Sequence, residues 1–462
     1  MNDAARRLKR EWLKFALTRM CGLALDILIL FTAYLAAILL RFEFHAPRWG
    51  FGATLAAFGT VALVHVAFLL LAGVYRLAWR RTRLEDLPRY LLATSLSCLA
   101  LTLLRFVLPV ESYAHVRPPY SVTLISFVLA TLALPLWRIV WSWTWDAYLK
   151  KRTVMARDVR HMDSTHARAF FAGKVVLVTG AGGSIGSELV RQVVRLDPAR
   201  VLLVERGENA LYEIDRALRA EPHAAEIVPL MKDVTNDAAM EEIFKTYHPD
   251  IVLHAAAYKH VPMVEMNPEE GWRNNTEGTK KTAALAKRYG AARFILISTD
   301  KAVHPVSVMG QTKLAAERAI MALNEEGETS FAAVRFGNVL GSSGSVVPLF
   351  REQIARRRPV TVTHPDMRRY FMTTSEAVAL VLEAASRTER AIYTLDMGKS
   401  VRIVDLAETL IRQAGLRPYV DIPIVFTGVR PGEKLFEELD ISNADGFYKT
   451  DMAKIYITKT GI

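Results

Sequence analysis

Cysteine is nearly absent from this chain: Cys21 and Cys98 are its only thiols, and each falls inside an apolar run. Two lone thiols so placed read as small buried hydrophobes rather than as a disulfide or a metal pair, so no metal site is expected and nothing calls for an oxidising compartment. Also missing is any stripe of basic and aromatic residues that would track a nucleic-acid backbone, although the formal net charge is +12. Nucleic acid is therefore not expected as a partner. No internal repeat and no low-complexity tract is present. Arg6, Arg7, Lys9 and Arg10 precede an apolar run as in a signal peptide. That run continues to Leu40 with no small-residue cleavage site after it, too long for a signal core.

What the chain has in quantity is apolar residue, 51% of the total, concentrated in the first third. Four runs, Phe15 to Leu40, Phe51 to Leu77, Leu87 to Leu108 and Tyr120 to Val140, reach the length of about 20 residues that a bilayer core demands. Short loops separate them, with Trp and Tyr at their flanks. A lipid bilayer is thus an expected partner. Basic residues cluster before the first run (Arg6, Arg7, Lys9, Arg10, Lys14), between the second and third (Arg76, Arg80, Arg81, Arg83, Arg89) and after the fourth (Lys150, Lys151, Arg152, Arg157, Arg160). The other two loops carry little beyond Arg41, Arg48 and Arg117, so the positive-inside rule puts both termini in the cytoplasm. Asp26 lies within the first run, where an interhelical hydrogen bond is the expected use of a lone carboxylate.

Residues 1–149 thus form a transmembrane region of four helices, and the charged stretch 150–172 reads as a linker. From Gly173 the pattern changes to short β-branched runs alternating with amphipathic helical stretches. Lys174–Thr179, Val201–Glu205, Ile227–Pro229, Ile251–Ala255, Phe294–Ser298 and Phe331–Arg335 read as strands. That alternation predicts, over 173–462, an α/β Rossmann-type doubly wound parallel sheet covered on both faces. A smaller C-terminal portion, mainly from residue 338 on, would bind substrate.

The first strand runs directly into Thr179-Gly180-Ala181-Gly182-Gly183-Ser184-Ile185-Gly186, and a helix opens behind it. Glycines at 180, 183 and 186 permit a sharp turn and a close backbone approach to a pyrophosphate seated on the helix N-terminus. Glu205 ends the next strand at the spacing of a ribose-binding acid, about 20 residues past the loop. A carboxylate there favours NAD; Arg206 beside it could hold a 2′-phosphate, which leaves NADP open. Asp233-Val234 and Ala255-Ala256-Ala257 follow the third and fourth strands and suit contacts along the adenine and ribose.

These residues resemble the extended short-chain dehydrogenase/reductase superfamily, and within it the membrane-bound nucleotide-sugar 4,6-dehydratases of bacterial polysaccharide and glycan biosynthesis. The resemblance runs from about Gly173 to the C-terminus. It is carried by the segments 178–186, His254-Ala255-Ala256-Ala257-Tyr258-Lys259-His260-Val261-Pro262, Ser298-Thr299-Asp300-Lys301-Ala302, Arg335-Phe336-Gly337-Asn338-Val339-Leu340-Gly341-Ser342 and Arg430-Pro431-Gly432-Glu433-Lys434-Leu435. The superfamily's Tyr-x-x-x-Lys pair is broken: Lys313 is present, but Met309 stands at the tyrosine position, a replacement characteristic of the membrane-bound branch. Long members of that branch carry a further Rossmann-like domain ahead of the catalytic one, for which the linker here is too short.

The resemblance implies loss of water across C5 and C6 of a nucleotide-linked hexose, with hydride passing from C4 to C6 through a bound nicotinamide. Asp300 would be the acid at the C6 oxygen and Lys301 the base at C5, the latter helped by a lowered pKa. Thr299 could relay the C4 hydroxyl proton in place of the missing tyrosine, and Lys313 would hold the nicotinamide ribose. Lys259 and Asn338 would contact sugar and phosphate. Arg369 and Arg430 would pair with the diphosphate, and Glu433 would bind the nucleotide ribose. UDP-N-acetylglucosamine is the expected substrate, and the bacterial inner membrane, with the catalytic domain on the cytoplasmic side, the expected location. Homodimers or larger homo-oligomers are usual for such folds. Two alternatives stay open: a C4 epimerase, which needs neither the acid nor the base, and a membrane scaffold that has kept the fold without the chemistry.

Overall fold

The computed structural model describes residues 3–44, 50–76, 86–107, 119–152, 165–325, 327–437 and 447–458. The chain divides into two compact units, 1–156 with 411–422, and 157–410 with 423–462.

In the first unit the helices are α1 (Asp3–Arg41), α2 (Gly50–Leu71), α3 (Leu87–Val107) and α4 (Tyr120–Arg152). Each contains a window long and apolar enough to cross a membrane: Met20–Arg41, Gly52–Leu71, Leu87–Leu104 and Tyr120–Trp141. Leu28, Leu63, Leu71, Leu132 and Leu136 point outward and exposed, a pattern that water penalises and hydrocarbon accepts. Inside, Tyr34, Ala37, Val61, Ala93 and Val122 are buried together. Asp26 is not alone there. Arg138 of α4 forms a fully buried ion pair with it, donates to the Tyr90 hydroxyl at 3.1 Å, and lies over the Tyr75 and Tyr90 rings. Hydrocarbon leaves a charge no solvent, so each charged group is tolerable here only with the other. Two sequence readings are corrected: Cys21 is exposed and Cys98 only partly buried. Arg48, Arg80, Arg81, Arg83, Arg117, Arg157 and Arg160, which carry part of the orientation reading, lie outside the described residues.

The second unit is built on a nine-stranded sheet whose strands lie in the order 447–449, 455–458, 392–395, 330–335, 293–297, 251–254, 175–179, 200–205 and 226–231. Its parallel heart comprises β1 (Val175–Thr179), β2 (Arg200–Glu205), β3 (Glu226–Met231), β4 (Ile251–His254), β5 (Arg293–Ile297) and β6 (Ser330–Arg335). The strand Ile392–Leu395 extends it in parallel, and Ile455–Thr458 and Phe447–Lys449 finish it antiparallel. The strand order reverses between β1 and β4, which opens a crevice beyond their carboxyl ends. All six expected strands form, within two residues of their predicted ends. β3 tolerates Pro229 because it is the sheet's edge strand.

Alternate side chains serve opposite faces. Val176, Val178, Val201, Leu203 and Leu253 pack with α6 (Ser184–Val194), α7 (Glu208–Arg219) and the helix Thr374–Ala385. Leu177, Leu202, Val204, Val252 and Phe294 pack with α8 (Asp237–Tyr247), the helix Gly278–Arg288 and the helix Val308–Ala322. One boundary differs from the sequence reading. Part of the expected linker, Thr165–Phe171, is the helix α5, and its Phe171 is buried in the first of these cores.

Candidate active site

The glycine loop is compressed from three sides, which explains its composition. Gly180 has φ +66°, and a Cβ there would fall 2.8 Å from the Ala256 nitrogen. At Gly186 a Cβ would meet the Gly180 carbonyl oxygen at 1.9 Å, and at Gly182 it would meet Ala210. Backbone therefore fills the room that side chains would take, between Ala255-Ala256 and the start of α6. The cap of that helix, Gly183, supplies no side-chain hydrogen bond to the first turn. Its leading N–H groups and the positive helix end suit a pyrophosphate. Ser184 Oγ accepts from the Ser343 amide at 3.1 Å, tying the loop to the segment after β7 (Asn338–Leu340), while Ile185 packs on the core.

Glu205 stands where expected and also braces the loop: its carboxylate accepts from the Gly182 amide at 3.1 Å and the Gly207 amide at 2.9 Å. Arg206 donates to the Tyr258 hydroxyl at 2.7 Å, lies against that ring, and approaches Asp233 to 3.9 Å. Asp233 accepts from the Thr235 amide and hydroxyl, each at 2.8 Å. Burial would raise its pKa, but these bonds and Arg206 bring it below the usual carboxylate value. Val234 is buried beside it, Ala255 and Ala256 are half-buried, and Ala257 is exposed. All of these residues lie at or just past the carboxyl ends of β2, β3 and β4.

Thr299, Asp300 and Lys301 leave the end of β5 as a single turn. The Thr299 hydroxyl donates to Asp300 Oδ1 at 2.8 Å, and Lys301 Nζ donates to the same oxygen at 2.9 Å. Asp300 Oδ2 is buried without a partner among the described residues, and a Cβ on Gly337 would come within 3.3 Å of it. Beneath the turn, Glu317 accepts from Ser298 at 2.5 Å and from Arg335 at 2.9 Å, fixing the strand end.

The expected lowering of the Lys301 pKa is not found. Burial works in that direction, but Asp300 and then Glu437 more than offset it, and the ammonium is held above its ordinary value. Met309 is buried against Val261 and Val264 and offers no proton. Lys313, one turn along the same helix, donates to the Ile297 carbonyl at 2.6 Å, and burial brings its pKa down to about 8. His254 is fully buried between the hydroxyls of Thr179 (2.9 Å) and Thr279 (3.0 Å). Burial, with Lys313 adding, pushes its pKa down to about 3, so it stays neutral.

The C-terminal substrate candidates divide. Asn338 Oδ1 and Glu433 Oε2 are buried with no partner among the described residues, as is Ser345 Oγ. A buried polar atom left so costs about 1–3 kcal/mol, a cost that a hydrogen-bonding ligand would remove. Lys259 and Arg430 are exposed. Arg369 has other partners than the expected diphosphate. Its Nη atoms donate to the carbonyls of Arg368 (2.7 Å), Lys434 (2.8 Å) and Leu435 (3.2 Å), and its Nε lies 3.6 Å from Glu437. It anchors the segment that carries Arg430 and Glu433.

Glu437 itself was not singled out from the sequence. It follows the Arg-Pro-Gly-Glu-Lys-Leu segment with no local signal, and only the fold brings it to Lys301.

A doubly wound sheet with a glycine-cradled loop at its switch point and a Thr-Asp-Lys turn after β5 defines a domain of the short-chain dehydrogenase/reductase type. Residues 176–460 match the family described as polysaccharide biosynthesis protein, and the chain belongs to that family. It is 51% identical over 289 residues to the capsular polysaccharide biosynthesis protein CapD of Staphylococcus aureus, covering 62% of this chain and 48% of CapD. The chain thus spans about half the length of that relative. It is 31% identical over 296 residues to a UDP-glucose 4-epimerase of Rickettsia akari, covering 61% of this chain and 84% of the epimerase. With a UDP-N-acetylglucosamine 4,6-dehydratase (inverting) of Campylobacter jejuni it shares 30% over 297 residues, 63% of this chain and 84% of the dehydratase.

Proposed function

We propose that this protein is a membrane-anchored 4,6-dehydratase of a UDP-linked N-acetylhexosamine, with UDP-N-acetylglucosamine as substrate and NAD as resident cofactor. Its place would be the cytoplasmic face of the bacterial inner membrane, in cell-surface polysaccharide or glycan synthesis, as a homodimer or larger homo-oligomer. One observation carries the reading: a buried carboxyl, with one oxygen unpartnered among the described residues, stands beside a lysine and a threonine on a single turn.

The residues present fit the cofactor. Gly180, Gly183, Ser184, Ile185 and Gly186 would hold the pyrophosphate, Glu205 the adenosine ribose, Asp233, Val234 and Ala255–Ala257 the adenine side, and Lys313 the nicotinamide ribose. Glu205 would repel a 2′-phosphate, which favours NAD; Arg206 is the residue through which NADP would enter. When bound, the cofactor supplies a hydride acceptor for C4 that later returns the hydride to C6.

The chain's own residues then move the protons. Thr299 takes the C4 hydroxyl proton as its own passes to Asp300 Oδ1 along their hydrogen bond. Asp300, now a carboxylic acid, gives that proton to the departing C6 hydroxyl, which leaves as water. Lys301 removes the C5 proton and later returns it. Met309 needs no proton in this circuit. Asn338, Lys259 and Glu433 would bind sugar, phosphate and nucleotide ribose, and Arg430 the diphosphate, on the segment Arg369 holds.

The epimerase relative supports the second reading, which uses the same cofactor but leaves Asp300 and Lys301 without a task. Incubation of the detergent-solubilised full chain with UDP-N-acetylglucosamine tests both. A product lighter by one water, without accumulation of reduced cofactor, is expected. An isomer of unchanged mass would make it an epimerase, and stoichiometric reduction of added NAD a dehydrogenase.

A further inference from the structure

Arg206 and Tyr258 leave different strands yet meet. Arg206 follows β2, Tyr258 follows β4, and β1 with its glycine loop lies between those two strands. Their contact has two parts. Arg206 Nη1 donates to the Tyr258 hydroxyl at 2.7 Å, and the guanidinium carbon stands 4.7 Å from the ring centroid. The tyrosine is itself fixed from below. Its amide donates to Asn275 Oδ1 at 2.7 Å, and Asn275 Nδ2 donates back to its carbonyl at 3.0 Å. Asn275 is fully buried and bonds onward to Thr312 at 3.1 Å. Around the pair, the Asp233 carboxylate lies 3.9 Å from Arg206, and the Tyr258 hydroxyl also reaches Glu270 at 3.5 Å. Arg273, a second cation at this end of the crevice, is taken up by both oxygens of Glu270, at 3.0 and 2.9 Å.

We infer that Tyr258 is a specificity-determining residue: it holds Arg206 in a contact that a 2′-phosphate must break, and so turns the site toward NAD and away from NADP. Specificity is a difference between two affinities. NAD asks nothing of Arg206, because Glu205 at the end of β2 would accept from the 2′-hydroxyl. NADP brings a phosphate to that carboxylate and finds the neighbouring cation engaged. To use Arg206 it must break the hydrogen bond and lift the guanidinium off the ring, whereas NAD breaks neither. A hydrogen bond from a charged donor and a half-exposed cation–ring contact together weigh roughly tenfold in affinity, and that penalty falls on NADP alone. Repulsion by Glu205 adds to it. The two effects are separable, since Tyr258 can be altered without touching the carboxylate at the ribose.

This inference rests on the assignment of the glycine loop to a dinucleotide and not on the dehydration chemistry, so its test is equilibrium binding rather than turnover. The detergent-solubilised full chain, stripped of any resident nucleotide, is titrated with NADH and with NADPH by nicotinamide fluorescence. Wild type should bind NADH at least about tenfold tighter. Tyr258→Phe removes only the hydroxyl that Arg206 bonds, and the preference should narrow about fivefold to tenfold. Tyr258→Leu removes the ring contact as well and should narrow it further. In an Arg206→Ala background neither substitution should move the ratio, because the guanidinium they release is gone. A tyrosine that merely supports the fold would weaken both nucleotides by a common factor, and a ratio so unmoved overturns the inference. Tighter binding of NADPH than of NADH by wild type overturns it too, as does a narrowing that persists without Arg206. Should Tyr258→Leu not fold, Tyr258→Phe decides alone, since it keeps the ring and both backbone bonds to Asn275. If the chain takes up neither nucleotide, the dinucleotide reading fails and this inference with it.

Discussion

Thr299→Val is the sharpest test of how the site works without a tyrosine. The substitution nearly preserves volume and removes only the hydroxyl that donates to Asp300 Oδ1 at 2.8 Å. A hydrogen bond to a charged acceptor contributes about 1.5–3 kcal/mol, which at 1.36 kcal/mol per decade is roughly 10- to 150-fold in rate. That figure assumes the bond only stabilises Asp300. If Thr299 also carries the C4 proton, the loss should reach the range of general acid–base catalysis, about 10²–10⁴-fold. Thr299→Ser keeps the oxygen and should retain most of the activity. The assay is single-turnover reduction of bound cofactor in the detergent-solubilised full chain, followed by product mass. Cofactor affinity is the control, since the Thr299 hydroxyl bonds within its own turn. A Thr299→Val rate within about threefold of wild type would refute the relay, and the C4 proton would then have to leave by another group.

Three further outcomes follow from other parts of the molecule. Gly186→Ala would place a Cβ 1.9 Å from a backbone oxygen, so the loop must open. Cofactor affinity by fluorescence titration should drop at least about tenfold, and an unchanged affinity would remove the loop from the binding site. Arg138→Met leaves Asp26 buried and unpaired and should cost about 3–5 kcal/mol. Adding Asp26→Leu should recover most of it, measured as thermal stability in one detergent; a double variant no better than the single would show that the pair is not the coupling. His254, with a folded pKa of about 3 against about 6.5 unfolded, binds its extra proton only in the unfolded chain between those values. Its contribution to stability is therefore full above about pH 6.5 and falls by about 1.4 kcal/mol per pH unit on acidification below it. His254→Gln should flatten that fall in the melting temperature, and an equal slope in both proteins would refute it.

The local features were legible in the sequence, and the long-range ones were not. Short β-branched runs alternating with helical stretches located all six central strands, because a parallel strand covered on both faces reads as a continuous apolar run; the edge strand β3 alone among the six carries exposed residues along its length. The glycine triplet and Glu205 could be read because their spacing is dictated by one strand, one turn and one helix. Glu437 could not, since its role depends on Arg369 drawing in a segment from 60-odd residues further on. Arg138 was hidden differently: one cation did not disturb a run of apolar residues, and only helix packing brings it to Asp26. Lys301 shows a third kind of failure. Its burial was anticipated and its pKa direction was not, because burial and paired carboxylates oppose each other and only distances decide which wins.

Met309 then takes on a definite meaning. In a site that uses tyrosine, a lysine one turn along the helix holds that phenol's charge, and proton acceptance and ribose binding are joined. Here Met309 is packed against Val261 and Val264, while Lys313 points its ammonium at the Ile297 carbonyl, so position 309 offers nothing to titrate. On the proposed circuit the proton-handling groups lie instead in the turn after β5, where Thr299, Asp300 and Lys301 meet through one carboxylate oxygen. With the functions separated in this way, restoring the phenol should not help. Met309→Tyr would have to fit a larger, polar side chain into an apolar pocket, at a cost of about 1–3 kcal/mol from overpacking, while on the proposed circuit Thr299 serves the C4 oxygen. Activity should fall, and Thr299→Val should remain inactive in that background. Recovery of turnover in the double variant would mean that the tyrosine route had only been vacated, not replaced.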